Sequence, residues 1–263
     1  AQATALANLL AWSRSNDIGT VQELSADALA RFSVWMQTDC GLAASTVTTR
    51  LKFVRGFLTW LETEGHSAPV KITMPRQAPH GLPDVLSDHE IKLMLDRISG
   101  WQQGPRAKYR VLVLTLLATG LRIHEALKMT VGEMDTQGGQ ATITGKGGRV
   151  RTICWAPKGL AGKAISKWVR GRDSSELLFP GPNGRELSQD AVQIMLRELG
   201  DSIETDLSAH KLRRTWCSQQ VAAGVPVHVV QRLGGWADLS IVSRYLQLAD
   251  YQAVGLAQRL ARI

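Results

Sequence analysis

The sequence predicts a mainly helical protein of two domains, the second carrying one small β-hairpin sheet. Three observations predict it. Apolar residues recur every three or four positions along most of the chain, a proline-rich break interrupts that period near residue 75, and one short glycine-centred stretch switches to β-branched residues. At 263 residues the chain exceeds the usual span of about 100–200 residues for one domain. With 44% hydrophobic and 21% charged residues it can bury a core without disulfides or metals.

The first third reads as three amphipathic helices: ALANLLAWSRS, DALARFSVWMQ and STVTTRLKFVRGFLTWLETEG. In the third, Val47, Leu51, Val54, Phe57, Leu58 and Leu61 make the apolar stripe, Ser45 is the expected N-cap, and Gly41 and Gly65 fall where helices should stop. Trp12, Trp35 and Trp60 are expected in the core. Residues 69–83 hold Pro69, Pro75, Pro79 and Pro83 without a period and read as the linker. The boundaries expected are 1–75 for a helical domain, 76–86 for the linker and 87–263 for a second domain. That domain opens at Ser87, whose spacing from Glu90 is that of a capping box. KYRVLVLTLLATG is apolar nearly all round and predicts a buried helix ending at Gly120. QATIT and RVRTICW, separated by Gly145, Lys146, Gly147 and Gly148, predict the hairpin. After Trp155 the helical period returns, broken by the turn Pro180-Gly181-Pro182-Asn183-Gly184.

Charge is distributed unevenly. Residues 1–86 carry seven basic and seven acidic side chains, so the whole net charge of +8 lies in 87–263. From Ala141 to Arg172 the chain holds eight Lys or Arg and no Asp or Glu. A polyanionic partner is the inference. No apolar run reaches the roughly 18 residues of a spanning helix, and the start lacks the basic region of a signal peptide, so a cytoplasmic protein is expected. The chain begins at Ala1 rather than Met, as a processed or truncated one would. Cys40, Cys154 and Cys217 are scattered and odd in number, which disfavours structural zinc and a disulfide framework.

Four clusters suit the handling of a phosphodiester. In ATGLRIHEAL, Arg122 and Glu125 lie three apart on one face of a new helix, where the carboxylate can orient a guanidinium that grips phosphate; His124 faces away. Lys146 sits in the glycine-rich turn, where it can approach a nucleic-acid backbone closely. In SAHKLRRTW, His210 and Arg213 share a face, an imidazole that moves protons near neutral pH beside a fixed cation. In LGGWADLSIVSRY, Trp236 offers an indole donor and Tyr245 a phenol, a poor nucleophile unless cations and a base assist it.

In that order, with these flanks, the clusters resemble the tyrosine recombinase (phage integrase) family. ATGLRIHEAL resembles the family's first arginine box, ITGKGGRVRTI its lysine hairpin, HKLRRTW its His-x-x-Arg box and LGGWADLSIVSRYL its nucleophile segment. STVTTRLKFVRGFLTWLETEG is similar to the last long helix of the family's core-binding domain, and Trp236 stands where many members have His but members of the Cre kind have Trp. The resemblance implies a C-shaped clamp of a helical core-binding domain and a catalytic domain around double-stranded DNA. It implies cleavage by Tyr245 through a 3′-phosphotyrosyl link, with Arg122, Arg213, His210 and Trp236 stabilising the phosphorane, Lys146 as general acid and Glu125 in support. It further implies no metal, ATP or other cofactor, a tetramer on DNA, and a C-terminal tail over 246–263 that docks on a neighbouring protomer or on its own domain. DNA contacts are expected from Arg50, Lys52, Arg55, Arg149, Arg151 and Arg214. A type IB topoisomerase, or a catalytically silent DNA-binding protein of this fold, are the other readings.

Overall fold

The computed structural model describes residues 2–67, 69–76, 81–145, 148 and 150–249. The chain divides into two compact units, Ala1–Gly81 and Leu82–Ile263.

The first unit is built on three helices, α1 (Gln2–Arg14), α2 (Ala26–Thr38) and α3 (Ala44–Thr63). Ser25 caps α2, its hydroxyl accepting from the Ala28 amide at 3.1 Å, and Leu29, Phe32 and Met36 then fall on one buried face. On α3 the buried positions are Val47, Leu51, Val54, Leu58 and Leu61, and these close over Trp12 and Phe32. The helix starts one residue before the expected cap: Ala43 holds the N-cap position without a side-chain bond, and Ser45 lies in the first turn. Trp60 corrects a second expectation. Next to Leu61 on the helix, it is turned off the buried stripe, is 53% exposed and stacks on Phe57 with ring centroids 6.1 Å apart. The proline-rich stretch is also less free than its composition suggests, since Val70, Ile72 and Met74 pack against this first core.

The second unit opens with α4 (Asp88–Ser99), where the capping box forms: the Ser87 amide donates to Glu90 Oε2 at 2.7 Å and the Glu90 amide to Ser87 Oγ at 3.3 Å. At its centre is α5 (Ala107–Thr119), with Val111 to Leu116 all buried; α7 (Leu160–Val169) and α9 (Ala209–Ala222) pack against it. The short α6 (Ile123–Lys128) leads to an antiparallel sheet of β1 (Met134–Asp135), β2 (Gln140–Thr144) and β3 (Val150–Cys154) in the order β1-β2-β3. The hairpin β2–β3 appears as expected; β1, two residues long, is too short to leave a period in the sequence. Ala141, Ile143 and Ile153 face the core, and alternation brings Arg151, opposite Ile143, to that same face. The helices α8 (Gln189–Asp201) and α10 (Val227–Gly234) and a helix over 240–249 complete the described unit. Its main core runs from Leu86 to Leu212, and a separate cluster gathers Trp216, Cys217, Val221, Val230, Val242 and Tyr245.

The chain entering this unit is fastened to α9. The Leu86 amide donates to Thr215 Oγ1 at 2.9 Å, and Asp84 pairs with Lys211 Nζ at 2.9 Å. Cys40 and Cys154 are exposed and Cys217 buried, all three as free thiols. Among the described residues no helix is long and apolar enough to cross a membrane.

Burial separates the tryptophans of the first unit in energy. Trp12→Ala should cost about 3–5 kcal/mol in urea unfolding. Trp60→Ala should stay within roughly 1 kcal/mol of the parent. A large loss at Trp60 would return that ring to the core.

Candidate active site

The arginine box is set by how α5 ends. Gly120 adopts a left-handed conformation (φ 63°), and a Cβ there would fall 2.2 Å from Cε3 of Trp216. Only glycine lets α5 stop against the Trp216 ring and turn the chain so that Arg122 becomes the N-cap of α6. Glu125, in the first turn of α6, accepts from the Arg122 amide at 2.9 Å (Oε2) and from Arg122 Nη1 at 3.1 Å (Oε1). The expected pairing of these two residues is therefore present.

A second guanidinium reaches the same carboxylate. From β3, Arg151 Nη1 donates to Glu125 Oε1 at 2.8 Å and Nη2 to Oε2 at 2.6 Å, while its Nε donates to the Leu233 carbonyl at 2.9 Å. The Glu125 side chain is only 3% exposed. Burial works against its ionisation, but the Arg151 hydrogen bonds, the Arg122 amide and both guanidinium charges prevail and hold its carboxyl down at about 2. Arg151 was expected at DNA; its side chain is 8% exposed and every nitrogen has a partner inside the protein. Strand alternation, which turns it inward with Ile153, is the reason.

The His-x-x-Arg box opens α9, capped by Ser208, whose hydroxyl accepts from the Lys211 amide at 3.1 Å. One turn separates an exposed His210 from a buried Arg213. Arg213 Nη1 donates to the Gly120 carbonyl and Nη2 to the Gly234 carbonyl at 2.5 Å, and Cζ lies 4.1 Å from the centroid of the Trp236 ring. Burial, then the charge of Arg122, lowers the guanidinium to about 9, leaving it charged at neutral pH. Desolvation, followed by Arg214, Arg213 and Arg122, lowers the imidazole of His210 below its ordinary range, which favours the neutral, proton-accepting form.

The nucleophile segment begins where α10 ends. Gly235 is left-handed (φ 67°), and a Cβ on it would crowd Cδ and Nε of Arg151 at 2.9 Å. Its carbonyl accepts from Arg122 Nη2 at 2.8 Å. Trp236 stacks on Trp216 with centroids 6.2 Å apart. Arg122, His124, Glu125, Gly145, Val150, Arg151, Arg232, Gly235, Trp236 and Ala237 line one open cleft of about 460 Å³; the exposed His124, expected to face away, thus shares the cleft with Arg122 and Glu125. Arg232 is exposed there and was not anticipated; its place one turn before Gly235 carried no distinguishing signal. Tyr245, on the helix over 240–249, does not line the cleft. It is 5% exposed beside Trp216 and Val242, and burial, then the neighbouring Cys217, pushes its phenol up to about 12.

Of the remaining expected residues, Lys52 and Arg55 are exposed on α3 and Arg50 is half-buried there. Arg214 is half-buried, with Nη1 3.8 Å from Asp84 Oδ2. Lys146 and Arg149 lie outside the described residues, as does the tail from Asp250 on. Among the described residues no group of three His, Cys, Asp or Glu is placed to hold a metal ion. Arg122 and Trp236 line the cleft with Arg213 packed behind Trp236, while His210 and Tyr245 do not line it; the uncommitted N–H groups of Arg122 leave the cleft able to hold an anion.

Comparison with known proteins gives this site its class. The sequence profile of the Phage integrase family matches residues 84–252, and the chain belongs to that family, the tyrosine recombinases. Tyrosine recombinase XerC of Xanthomonas campestris pv. campestris (strain B100) is 28% identical over 253 residues, covering 94% of this chain and 77% of that protein. XerC of Xylella fastidiosa (strain M23) is 29% identical over 250 residues, covering 93% and 83%. Among solved structures, the XerH site-specific recombinase in a post-cleavage complex with palindromic difH substrate superimposes with a TM-score of 0.74 at 20% identity, covering 90% of this chain and 72% of that one. The Tn1549 transposon integrase in complex with transposon right end DNA gives 0.68 at 16%, covering 97% and 94%. These two likenesses concern the fold.

The ionisation of Glu125 makes a prediction about acid. A carboxyl held at about 2 in the folded protein, against 4.5 for a free one, contributes stability that is full above the unfolded value and fades as pH falls toward 2. The stability advantage of the parent over Glu125→Gln, on the order of 3 kcal/mol at pH 6, should therefore narrow steadily between pH 5 and pH 3 in urea unfolding. A gap that stays constant over that window would mean that Glu125 is not ionised against its arginines.

Proposed function

We propose that this chain is a site-specific DNA recombinase that cuts and rejoins double-stranded DNA through a 3′-phosphotyrosyl intermediate. The observation that carries the reading is convergence: Arg122, Arg213 and Trp236, remote in sequence, meet at the end of α10, and two of them line the cleft. The curated relatives named above are tyrosine recombinases, which favours strand exchange over topoisomerase-like relaxation or silent binding.

In this mechanism the scissile phosphate enters the cleft and takes hydrogen bonds from Arg122, Arg213, His210 and Trp236. Oη of Tyr245 attacks phosphorus in line, its proton passing to His210, while the bond from phosphorus to the 5′-oxygen breaks and that oxygen takes a proton from Lys146. The ester is conserved as a 3′-phosphotyrosyl link, and a 5′-hydroxyl of the exchanged strand reverses the step. No ATP or metal takes part in this sequence. Tyr245 is buried and does not line the cleft, so in this mechanism the helix over 240–249 brings it to the cleft before it reacts. DNA contacts come from Lys52 and Arg55 with Arg50 on α3, from Arg149 in the hairpin and from Arg214 on α9. The helical unit serves as a core-binding domain that contacts the duplex. Recombination requires two sites, each with two protomers, and hence a tetramer on DNA. The proposed compartment is the cytoplasm.

Two experiments test the chemistry. On a nicked suicide duplex, in excess EDTA, the parent should accumulate a covalent protein–DNA adduct, and Tyr245→Phe should form none while binding the same DNA within about threefold, because the ring packing stays and only the oxygen goes. Adducts that persist in Tyr245→Phe and vanish in Tyr251→Phe would move the nucleophile. Lys146→Ala should slow cleavage by roughly 10²–10⁴, yet cut a 5′-bridging phosphorothiolate nearly as fast as the parent, since sulfur leaves without a proton. Equal impairment on both substrates would make Lys146 an electrostatic or positioning group instead.

A further inference from the structure

The arginines of the cleft differ in what remains of their donors. Arg122 commits one N–H of Nη1 to Glu125 and one of Nη2 to Gly235, and its other N–H groups have no partner among the described residues. Arg151 has all three nitrogens engaged, and its side chain, packed against Gly235 at the wall of the cleft, is only 8% exposed. It joins three elements at one point: its own strand β3, α6 through Glu125, and the end of α10 through the Leu233 carbonyl. The Glu125 carboxylate receives four donors in two symmetric pairs, Oε1 from Arg151 Nη1 and Arg122 Nη1, Oε2 from Arg151 Nη2 and the Arg122 amide. A carboxylate accepting two bonds on each oxygen has its orientation fixed, and with it the orientation of Arg122.

We propose that Arg151 is a positioning residue for phosphodiester cleavage: acting through Glu125 it sets the direction in which Arg122 presents its uncommitted N–H groups, and acting through Leu233 it ties that direction to the turn carrying Trp236. The inference rests on the recombinase reading given above. The fork matters as much as the charge. A lysine at 151 would supply a point cation to one oxygen of Glu125 and lose either the second oxygen or the Leu233 carbonyl. Because β3 is one arm of the hairpin whose turn contains Lys146, the same contact fastens the strand that leads from the general acid to the element that holds the phosphate-binding arginine.

The test uses the full chain and a nicked duplex bearing a site recovered by selecting random duplexes on the parent protein. Single-turnover adduct formation and binding are measured from pH 5.5 to pH 9. Arg151→Gln should lower the cleavage rate about 100-fold, as expected for a misdirected catalytic group. Its Kd should stay within about threefold and its salt dependence should be unchanged, because no phosphate contact is lost. Its decline toward low pH should set in at a higher pH than that of the parent, since Glu125 without Arg151 protonates more readily. Arg151→Lys should restore part of the rate, and Arg151→Gln combined with Glu125→Gln should be no slower than the slower single variant. A parent-like rate in Arg151→Gln, a salt dependence weakened by about one counterion, or independent multiplicative losses in the double variant would each overturn the proposal. If Arg151→Gln does not fold, as judged by circular dichroism, Arg151→Lys carries the test, and a parent-like rate there overturns it. Failure of the parent itself to form an adduct would instead count against the recombinase reading, and this proposal would fall with it.

Discussion

The last carbonyls of an α-helix have no partner within the helix and carry its negative end. At the end of α10 three successive carbonyls, those of Leu233, Gly234 and Gly235, each accept from a different guanidinium: Arg151 from β3, Arg213 from α9 and Arg122 from the start of α6. The rest of the second unit is arranged around that convergence. The largely buried α5 ends at a fourth acceptor, the Gly120 carbonyl, the hairpin delivers Arg151 by strand alternation, and the two left-handed glycines allow close approach where a side chain would intervene, of Trp216 at Gly120 and of Arg151 at Gly235. One buried carboxylate, Glu125, faces these three cations. With Arg232 also on the cleft wall, the cations outnumber the one carboxylate and the local balance is positive.

The parts of this arrangement that follow local rules were legible in the sequence. The Ser87–Glu90 capping box, the buried α5 with its glycine stop, and the β2–β3 hairpin each announce themselves within a dozen residues. The Arg122–Glu125 pair was legible by helical spacing. What could not be read was the acceptor set, because carbonyls are common to every residue and leave no letter in the sequence. Arg151 shows the cost of that: within a basic run it reads as a DNA contact, and only the strand register against Ile143 turns it toward Glu125. Trp60 fails for a related reason, since a one-residue offset on a helix moves a side chain by about 100° and an aromatic next to a buried leucine can face solvent.

The placement of Tyr245 separates two tasks that the motif alone runs together. Arg122, Arg213 and Trp236 are held in place by backbone and ring contacts within the protein, so their mutual arrangement is fixed by the fold. The phenol, by contrast, belongs to a small apolar cluster with Trp216, Cys217 and Val242, where its proton is retained. The link between the two is Trp216, which packs on Trp236 from one side and belongs to the tyrosine's cluster on the other. The same ring stack therefore borders both groups.

The fastening of the entering chain to α9 bears on where the second unit begins as an object that can fold. Lys211 is buried, and its ammonium has Asp84 as its carboxylate partner; the hydroxyl of Thr215 accepts from the amide of Leu86. A chain started at Ser87, where the first regular helix is capped, would keep every helix and strand of the unit. It would strip a buried cation of its counterion on the helix that carries Arg213 and His210. The autonomous piece is therefore longer than its secondary structure, and its first residues belong to the active-site helix rather than to a tether.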